Sequence, residues 1–559
     1  MNYKEKYTQW INSDHIDQET KIELQKIDNE KEIEDRFYKD LEFGTGGLRG
    51  IIGAGTNRIN KYTIRRATQG LANHLLKNSQ KTGVAIAYDS RHKSQEFAYQ
   101  AAAVLSANNI KAYVFETLSP TPELSFAVRH LNCAGGIVIT ASHNPAEYNG
   151  YKVYGEDGGQ IVTEIADKII HEIAQIKDDG QIKYIDEKIS IANGMIEIIG
   201  EEVDKAYIEK VKTLSLREDV DKDIKIIYTP LHGTGNIPVR RVLAELDYKN
   251  VVVVPEQELP DSEFSTVKSP NPEEHAAFTL ALELAEKEGA DILLGTDPDC
   301  DRIGAVVKNN KGAYQVLTGN QTGALLIEYT LKAMKEKNTL PKNPLIIKTI
   351  VTSKMGEKIA KAYGVDTLDT LTGFKFIGEK IKEFEETKEK QFIFGYEESY
   401  GYLAGTFVRD KDAVIAAMLI CEMAAYYKSK GMTLYDALLN LYKEYGYFKE
   451  DLVSITLKGK EGIEKINKII ESLRKNPPKV IAGKEIKIFR DYNASESSDL
   501  PKSNVLHFTF TDNSWFCVRP SGTEPKIKIY FSIIGETLED ANQKLKNIKD
   551  AVMEIINIC

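Results

Sequence analysis

From residue 84 to residue 399 the chain runs through one pattern three times: apolar strand, helix, strand, helix, apolar strand, then a loop crowded with polar side chains. In the first round Val84-Ala85-Ile86-Ala87-Tyr88 reads as a strand, and Ser94 to Asn108 as a helix with Phe97, Ala101, Val104 and Leu105 on one face. Ala112 to Phe115 reads as a strand and Pro122 to His130 as a helix. The next strand carries Gly136-Ile137-Val138-Ile139 and is expected to end at Ser142. The second round opens at Ile224-Lys225-Ile226-Ile227-Tyr228, places helices at about Ile237 to Leu246 and Pro272 to Glu288, and closes with Ile292-Leu293-Leu294. Asn271-Pro272 suits a helix start, and Gly289 a stop. The third opens at Leu345-Ile346-Ile347, places helices near Ser353 to Tyr363 and Phe374 to Phe384, and closes with Phe392-Ile393-Phe394. Open α/β sheets bind ligands beyond the C-terminal ends of their strands, where all three loops fall.

That pattern predicts an α/β fold with three similar mixed α/β domains in tandem. Beyond them, Ile486-Lys487-Ile488, Val505-Leu506-His507-Phe508, Trp515-Phe516-Cys517-Val518 and Ile527-Lys528-Ile529-Tyr530-Phe531 alternate as antiparallel strands do. With an amphipathic helix from Leu538 to Ile555 they predict a C-terminal α+β domain with an antiparallel sheet. A chain of 559 residues exceeds what one core serves. The expected division is a helical N-terminal extension at 1–40, anchored by Tyr7, Trp10, Ile11 and Leu24, then domains at 41–205, 206–320, 321–448 and 449–559.

Charge narrows the partners. With 73 Lys and Arg against 83 Asp and Glu, the net charge of −10 argues against nucleic-acid binding and against an anionic membrane surface. An anionic substrate must then be met by locally gathered cations. The start of the chain lacks the apolar region of a signal peptide. The longest apolar stretch, Ala413 to Tyr427, is interrupted by Glu422 and is short for a bilayer. Cys133, Cys300, Cys421, Cys517 and Cys559 form neither a disulfide framework nor a zinc pattern, so a reducing cytoplasm is expected. Oligomeric state is not legible.

Each loop has a chemistry of its own. Thr140-Ala141-Ser142-His143-Asn144-Pro145 presents a serine among small residues, although such a cluster also suits a plain turn. Asp297, Asp299 and Asp301, at every second position, put three carboxylates on one side of an extended loop, a hard oxygen set suited to Mg²⁺. The loop lacks EF-hand spacing and a terminal bidentate Glu, which disfavours calcium. Glu397-Glu398-Ser399 offers acceptors for sugar hydroxyls. A fourth loop, Arg519-Pro520-Ser521-Gly522-Thr523-Glu524-Pro525-Lys526, sits between two strands and offers guanidinium, hydroxyl and backbone donors for a phosphate. Phe43 to Gly50 is glycine-rich and contains Arg49, but it lacks the Gly-Lys-Ser/Thr of a P-loop.

In this order the four loops resemble the motifs of the α-D-phosphohexomutase superfamily, over nearly the whole chain, and most resemble its long glucose-type bacterial members. The resemblance implies a four-domain enzyme that interconverts glucose 1-phosphate and glucose 6-phosphate through a phosphoserine and a glucose 1,6-bisphosphate intermediate, which also acts as activator. Its expected cofactor is Mg²⁺, its partners small-molecule sugar phosphates. By resemblance, Ser142 would carry the phosphoryl group and supply an oxygen to the Mg²⁺ held by Asp297, Asp299 and Asp301. Arg302 would steady the transferring phosphate. Glu397, Glu398 and Ser399 would form the sugar loop, and Arg519, Ser521, Gly522, Thr523 and Lys526 the phosphate loop. Lys152 and Lys375 match proton-transfer or phosphate-contact positions, Arg49 an active-site arginine and His143 a loop-supporting histidine. His143 is not expected to act as a base on Ser142, because adjacent side chains rarely converge. The metal loop departs from many relatives at Pro298 and Cys300, where glycines are common. Phosphopentomutase and phosphomannomutase activities stay open as alternatives. A Mg²⁺-dependent phosphatase using Asp297 and Asp299, or a non-enzymatic sugar-phosphate sensor, would leave either Ser142 or the metal carboxylates without a purpose.

Overall fold

A computed structural model of the chain describes residues 2–44, 46–457, 459–494, 500–521 and 526–558. In the first unit the strands Ala112–Phe115, Val84–Tyr88 and Gly135–Ile139 lie side by side in parallel, and Tyr148–Gly155 returns antiparallel against the last of them. In the second, Val251–Val253, Ile226–Thr229 and Ile292–Thr296 are parallel and Ile303–Lys308 returns. In the third, Asp366–Thr370, Pro344–Thr349 and Gln391–Glu397 are parallel and Gly401–Ala404 returns. The same strand order with the same reversal recurs three times, so the triplication is one of topology.

The return strands correct the sequence reading, which let each unit end at its loop. Each loop is instead the connection between a parallel strand and its antiparallel neighbour. Reversing the chain within a few residues puts a non-glycine residue into the left-handed region in all three: Ser142 at φ 52°, Cys300 at φ 52° and Tyr400 at φ 64°. The strand expected to reach Ser142 stops at Ile139, because the Thr140 hydroxyl turns to accept from the Ser142 N–H at 2.8 Å. The helix expected from Pro272 starts only at Thr279, after a 3₁₀ turn at His275–Phe278. Asn271 caps its own turn instead, its Oδ1 accepting from Glu273 N–H at 3.1 Å. Gly289 closes that helix at φ 70°, as its missing Cβ allows.

One apolar core runs without a break through the three units, taking in Leu124, Tyr154, Tyr228, Leu294, Ile347 and Phe394. The helix Ala413–Ser429 lies buried within it. Glu422 on that helix accepts from Ser215 Oγ at 2.5 Å, Tyr329 Oη at 2.7 Å and Arg217 N–H at 2.9 Å. The one charge in the apolar stretch thus serves to pin the linker at 215–217. Among the described residues no helix is long and apolar enough to cross a membrane.

The C-terminal domain is a six-stranded antiparallel sheet ordered Tyr447–Thr456, Lys526–Gly535, Trp515–Pro520, Leu506–Phe510, Lys484–Asp491, Val480–Ile481. Its first and last strands in this order were not read from the sequence. Phe508, Phe516 and Val518 face the helices Gly459–Lys475 and Leu538–Ile558. Trp515, Cys517 and Tyr530 face the other way and pack on Ile350, Val351 and Leu371 of the third unit. Because side chains alternate along a strand, Arg519 shares the face of Trp515 and Cys517. At the other end of the chain the helices Tyr3–Asn12, Gln18–Gln25 and Glu30–Phe37 cluster around Leu24 and Phe37, with Tyr7, Trp10 and Ile11 against them.

Candidate active site

The serine loop and the aspartate loop meet. Ser142, buried, donates from Oγ to Asp297 Oδ2 at 2.7 Å. The left-handed backbone at Ser142 also swings its side chain beside that of the next residue, so His143 Nδ1 lies 3.2 Å from Oγ. Adjacent side chains converge here after all. Burial first, then the charges of Arg302 and Arg49, hold His143 well below its ordinary pKa, so the ring is neutral. Its backbone carbonyl accepts from Ser269 Oγ of the second unit at 2.9 Å.

Asp297, Asp299 and Asp301 are all buried, with one carboxylate oxygen from each within 4.8 Å of the others. Asp297 Oδ1 accepts from the N–H groups of Asp301 and Arg302 at 3.1 and 3.0 Å. Asp299 Oδ2 accepts from Thr121 Oγ1 at 2.9 Å and Lys152 Nζ at 2.7 Å. Asp301 Oδ2 faces Lys152 Nζ at 3.3 Å and Lys411 Nζ at 3.0 Å. That leaves Asp299 Oδ1 and Asp301 Oδ1 buried without a hydrogen-bond partner. Two unsatisfied carboxylate oxygens of this kind are costly unless a cation takes them up. The donor set is all oxygen and, once fully ionised, threefold negative, which fits a small hard divalent cation. Burial first, then Asp299 and Asp301, push Asp297 well above the usual carboxylate range. Burial also works to raise Asp301, but Lys411, Lys152 and Arg302 outweigh it and hold that carboxyl low. Burial alone would lower the two lysines. Asp299 and Asp301 around Lys152, and Asp301 and Asp410 around Lys411, reverse this and keep both protonated.

Two of these partners were missed in the sequence. Lys411 sits in Arg409-Asp410-Lys411-Asp412, which reads as a solvated charge run but is buried throughout. Arg409 pairs with Asp157 and Glu385, Asp410 accepts from Tyr154 Oη at 2.8 Å, and Asp412 accepts from Tyr207 Oη at 2.8 Å. The run is a staple between the first and third units that delivers Lys411 to the second. Thr121 is the first residue of the helix Thr121–His130, and its N–H also donates to Asp299 O at 2.9 Å. The positive end of that helix therefore faces the aspartate loop.

Arg302 joins the aspartate loop to the sugar loop, donating to Glu273 and, at 3.1 Å, to Ser399 O. Ile303 N–H donates to Tyr400 O at 3.1 Å beside it. Glu397 ends its strand and is buried. Glu398 is placed differently: Thr349 Oγ1 and Thr352 Oγ1 each donate to it at 3.2 Å, at the end of the third unit's first strand. Burial first and Glu397 next push its carboxyl up to about 7. Lys375 stands in the first turn of the helix Phe374–Thr387. Burial brings it down to about 8, with Arg519 adding to the effect and Glu379 opposing it. Lys375 and Arg519 thus share one field across the boundary between the third unit and the C-terminal domain. Ser521 N–H donates to Lys526 O at 2.8 Å and closes the base of the fourth loop. Gly522 and Thr523 lie outside the described residues. Arg49, on the strand Gly47–Ile51, sits opposite Gly150. A side chain at Gly150 would meet the Thr140 and Leu48 carbonyl oxygens at 2.4 and 3.0 Å, so only glycine lets that strand approach the serine loop.

Four family models match in order: phosphoglucomutase/phosphomannomutase alpha/beta/alpha domain I at residues 40–180, domain II at 205–312, domain III at 318–445, and the C-terminal domain at 453–551. The phosphoglucomutase of Staphylococcus aureus (strain bovine RF122 / ET3-1) is 41% identical over 525 residues, covering 92% of this chain and 93% of that protein. The phosphoglucomutase of Staphylococcus haemolyticus (strain JCSC1435) is 38% identical over 524 residues, covering 92% and 94%. Among solved structures, the open form of pp63/parafusin from Paramecium superposes with a TM-score of 0.70 at 18% identity, covering 93% of this chain and 95% of that one. On four consecutive domain matches and this identity over nearly its full length, the chain belongs to the phosphoglucomutase/phosphomannomutase family, within the α-D-phosphohexomutase superfamily.

Proposed function

We propose that this chain interconverts glucose 1-phosphate and glucose 6-phosphate through phosphorylated Ser142, with glucose 1,6-bisphosphate as the intermediate. The observation that carries the reading is the 2.7 Å contact between Ser142 Oγ and Asp297 Oδ2, which joins a nucleophile from one unit to the metal carboxylates of another. Relatives named phosphoglucomutase at about two-fifths identity support the choice of glucose.

Ser142 passes its phosphoryl group to the free sugar hydroxyl and becomes a free hydroxyl itself. The bisphosphate then presents its other phosphate to Ser142 and returns a phosphoryl group to it. Phosphoryl transfer needs alignment and charge neutralisation more than covalent help. Lys152, Lys411 and Arg302 stand around the transfer point as cations. Lys152 and Lys411, both held protonated, are also the groups placed to give a proton to the departing Ser142 oxygen, and the proton that the attacking hydroxyl gives up restores the lysine that donated. Asp297, Asp299 and Asp301 would hold Mg²⁺, which when bound neutralises charge on the transferring group. Glu397 and the sugar loop present acceptors to hydroxyls. Arg519, with Lys375 facing it, would hold the phosphate that is not reacting, before and after the sugar turns over. Domains at 41–205, 206–320, 321–448 and 449–559 behind an extension at 1–40 divide the labour in this way, and the free, buried Cys133, Cys300, Cys421 and Cys517 support a reducing, cytoplasmic setting.

Isomerisation of glucose, mannose and ribose 1-phosphates, each with and without bisphosphate, tests the reading. Fast, bisphosphate-stimulated turnover of glucose 1-phosphate is expected. Preference for ribose or mannose phosphate would reassign the substrate, and release of inorganic phosphate as the main product would make the chain a phosphatase.

A further inference from the structure

Arg91 follows the first strand of the first unit and has no part in the four loops. Its side chain is completely buried, as is that of Asp89, whose Oδ2 lies 3.3 Å from Arg91 Nε. Every other donor of the guanidinium is spent on the loop that carries Ser142. Nη2 donates to Ser142 O at 2.6 Å and to Asn144 O. Nη1 donates to Pro145 O at 2.8 Å and to Tyr148 O at 3.1 Å. Both arms of the loop, including its entry into the return strand, are thus gathered on one planar group. From the second unit, the Phe264 ring covers the guanidinium with its centroid 4.9 Å from Cζ.

This arrangement answers a problem the loop poses. Ser142 must hold a left-handed backbone, which a serine adopts only when its surroundings impose it. The conformation aims Oγ at Asp297. Fixing the Ser142 carbonyl fixes the next peptide plane and leaves the side chain little freedom to swing away. A lysine could not replace the arginine, since an ammonium is a point donor and cannot serve four carbonyls spread over a fork.

We propose that Arg91 is the positioning residue of the nucleophile: it holds the Ser142 backbone in the one conformation that presents Oγ, or its phosphoryl group, to the sugar hydroxyl rather than to water. The proposal rests on the phosphoserine reading given above. If the clamp loosens, transfer suffers and hydrolysis gains. In hydrolysis water forms the new P–O bond, the Oγ–P bond breaks, Oγ takes a proton from the water and inorganic phosphate leaves.

The test uses full-length Arg91→Lys and Arg91→Met, charged with labelled phosphate at Ser142, and follows the label into sugar or water in a single turnover. The expected result is a kcat lower by roughly a hundredfold, the scale of an ångström-sized misplacement of a reacting group. The share of label lost to water should rise, while KM for glucose 1-phosphate stays unchanged because the groups that hold the sugar and its non-reacting phosphate lie on other loops. A folded variant with unaltered kcat and unaltered partition, or one whose loss lies in KM alone, would overturn the proposal. Should neither variant fold, Phe264→Leu loosens the same guanidinium and is expected to shift the partition in the same direction; an unchanged partition there would overturn it equally. Ser142→Ala separates the two layers. If it is inactive while the Arg91 variants behave as wild type, only the Arg91 assignment falls; if it keeps turnover, both fall.

Discussion

Lys375 is a single residue whose surroundings predict a pH dependence. Its pKa is brought down to about 8, so the free enzyme carries the ammonium below that pH and loses it above. A phosphate gains from the charge, so kcat/KM should fall as pH rises through about 8. Lys375→Arg stays charged throughout and should flatten that limb in a pH–rate profile. A limb of the same position in the arginine variant would assign it elsewhere. At the same scale, Asp299→Asn removes one hard charged ligand. It should raise the Mg²⁺ concentration needed for half-maximal rate, with activity abolished by EDTA and restored by Mg²⁺. Unchanged Mg²⁺ dependence would argue against the three-aspartate site. What made Asp297, Asp299 and Asp301 legible was local: three acids directly after a buried strand. Lys411 and Arg91 were not, because a charged residue beside other charged residues reads as solvent-facing, and only tertiary packing buries them.

Among the secondary-structure elements, the helix Ala413–Ser429 is held by its one buried acid. Glu422 takes hydrogen bonds from Ser215, Leu216, Arg217 and Tyr329, and Glu422→Leu would strand those donors at about 1–3 kcal/mol for each one left buried and unsatisfied. Thermal unfolding should show a clear drop for that variant and a smaller one for Glu422→Gln, which keeps an acceptor. Equal melting for Glu422→Leu and wild type would show that the linker at 215–217 is not fixed there. Strands such as Val84–Tyr88 could be read because all five residues are apolar and buried. The return strand Tyr148–Gly155 could not, since Asn149, Gly150 and Lys152 break its apolar pattern for the sake of the site. Asn271-Pro272 suits both a helix cap and a free turn. In the structure the Asn271 side chain closes the turn on Glu273 N–H, and the turn holds Glu273 in reach of Arg302.

For the whole molecule, the site depends on three units sharing one core and a fourth facing them. The repetition was legible because its period is long and each round ends in an unusual loop; the relative placement of the loops was not, because it is made by Thr121, Lys411 and Arg302 reaching between units. Arg519→Ala tests the division of labour. It should weaken sugar-phosphate binding by about 1.5–3 kcal/mol, the scale of a charge-assisted hydrogen bond, and slow turnover. Phosphorylation of Ser142 by bisphosphate should stay detectable. Normal affinity and rate would remove the C-terminal domain from phosphate binding. The most direct measurement is peptide mass spectrometry of the protein after incubation with glucose 1,6-bisphosphate, set beside turnover of wild type and Ser142→Ala. A single phosphoryl group on the peptide bearing Ser142, absent from Ser142→Ala together with its activity, is the predicted result. Phosphate on another residue, or near-normal turnover in Ser142→Ala, would contradict it.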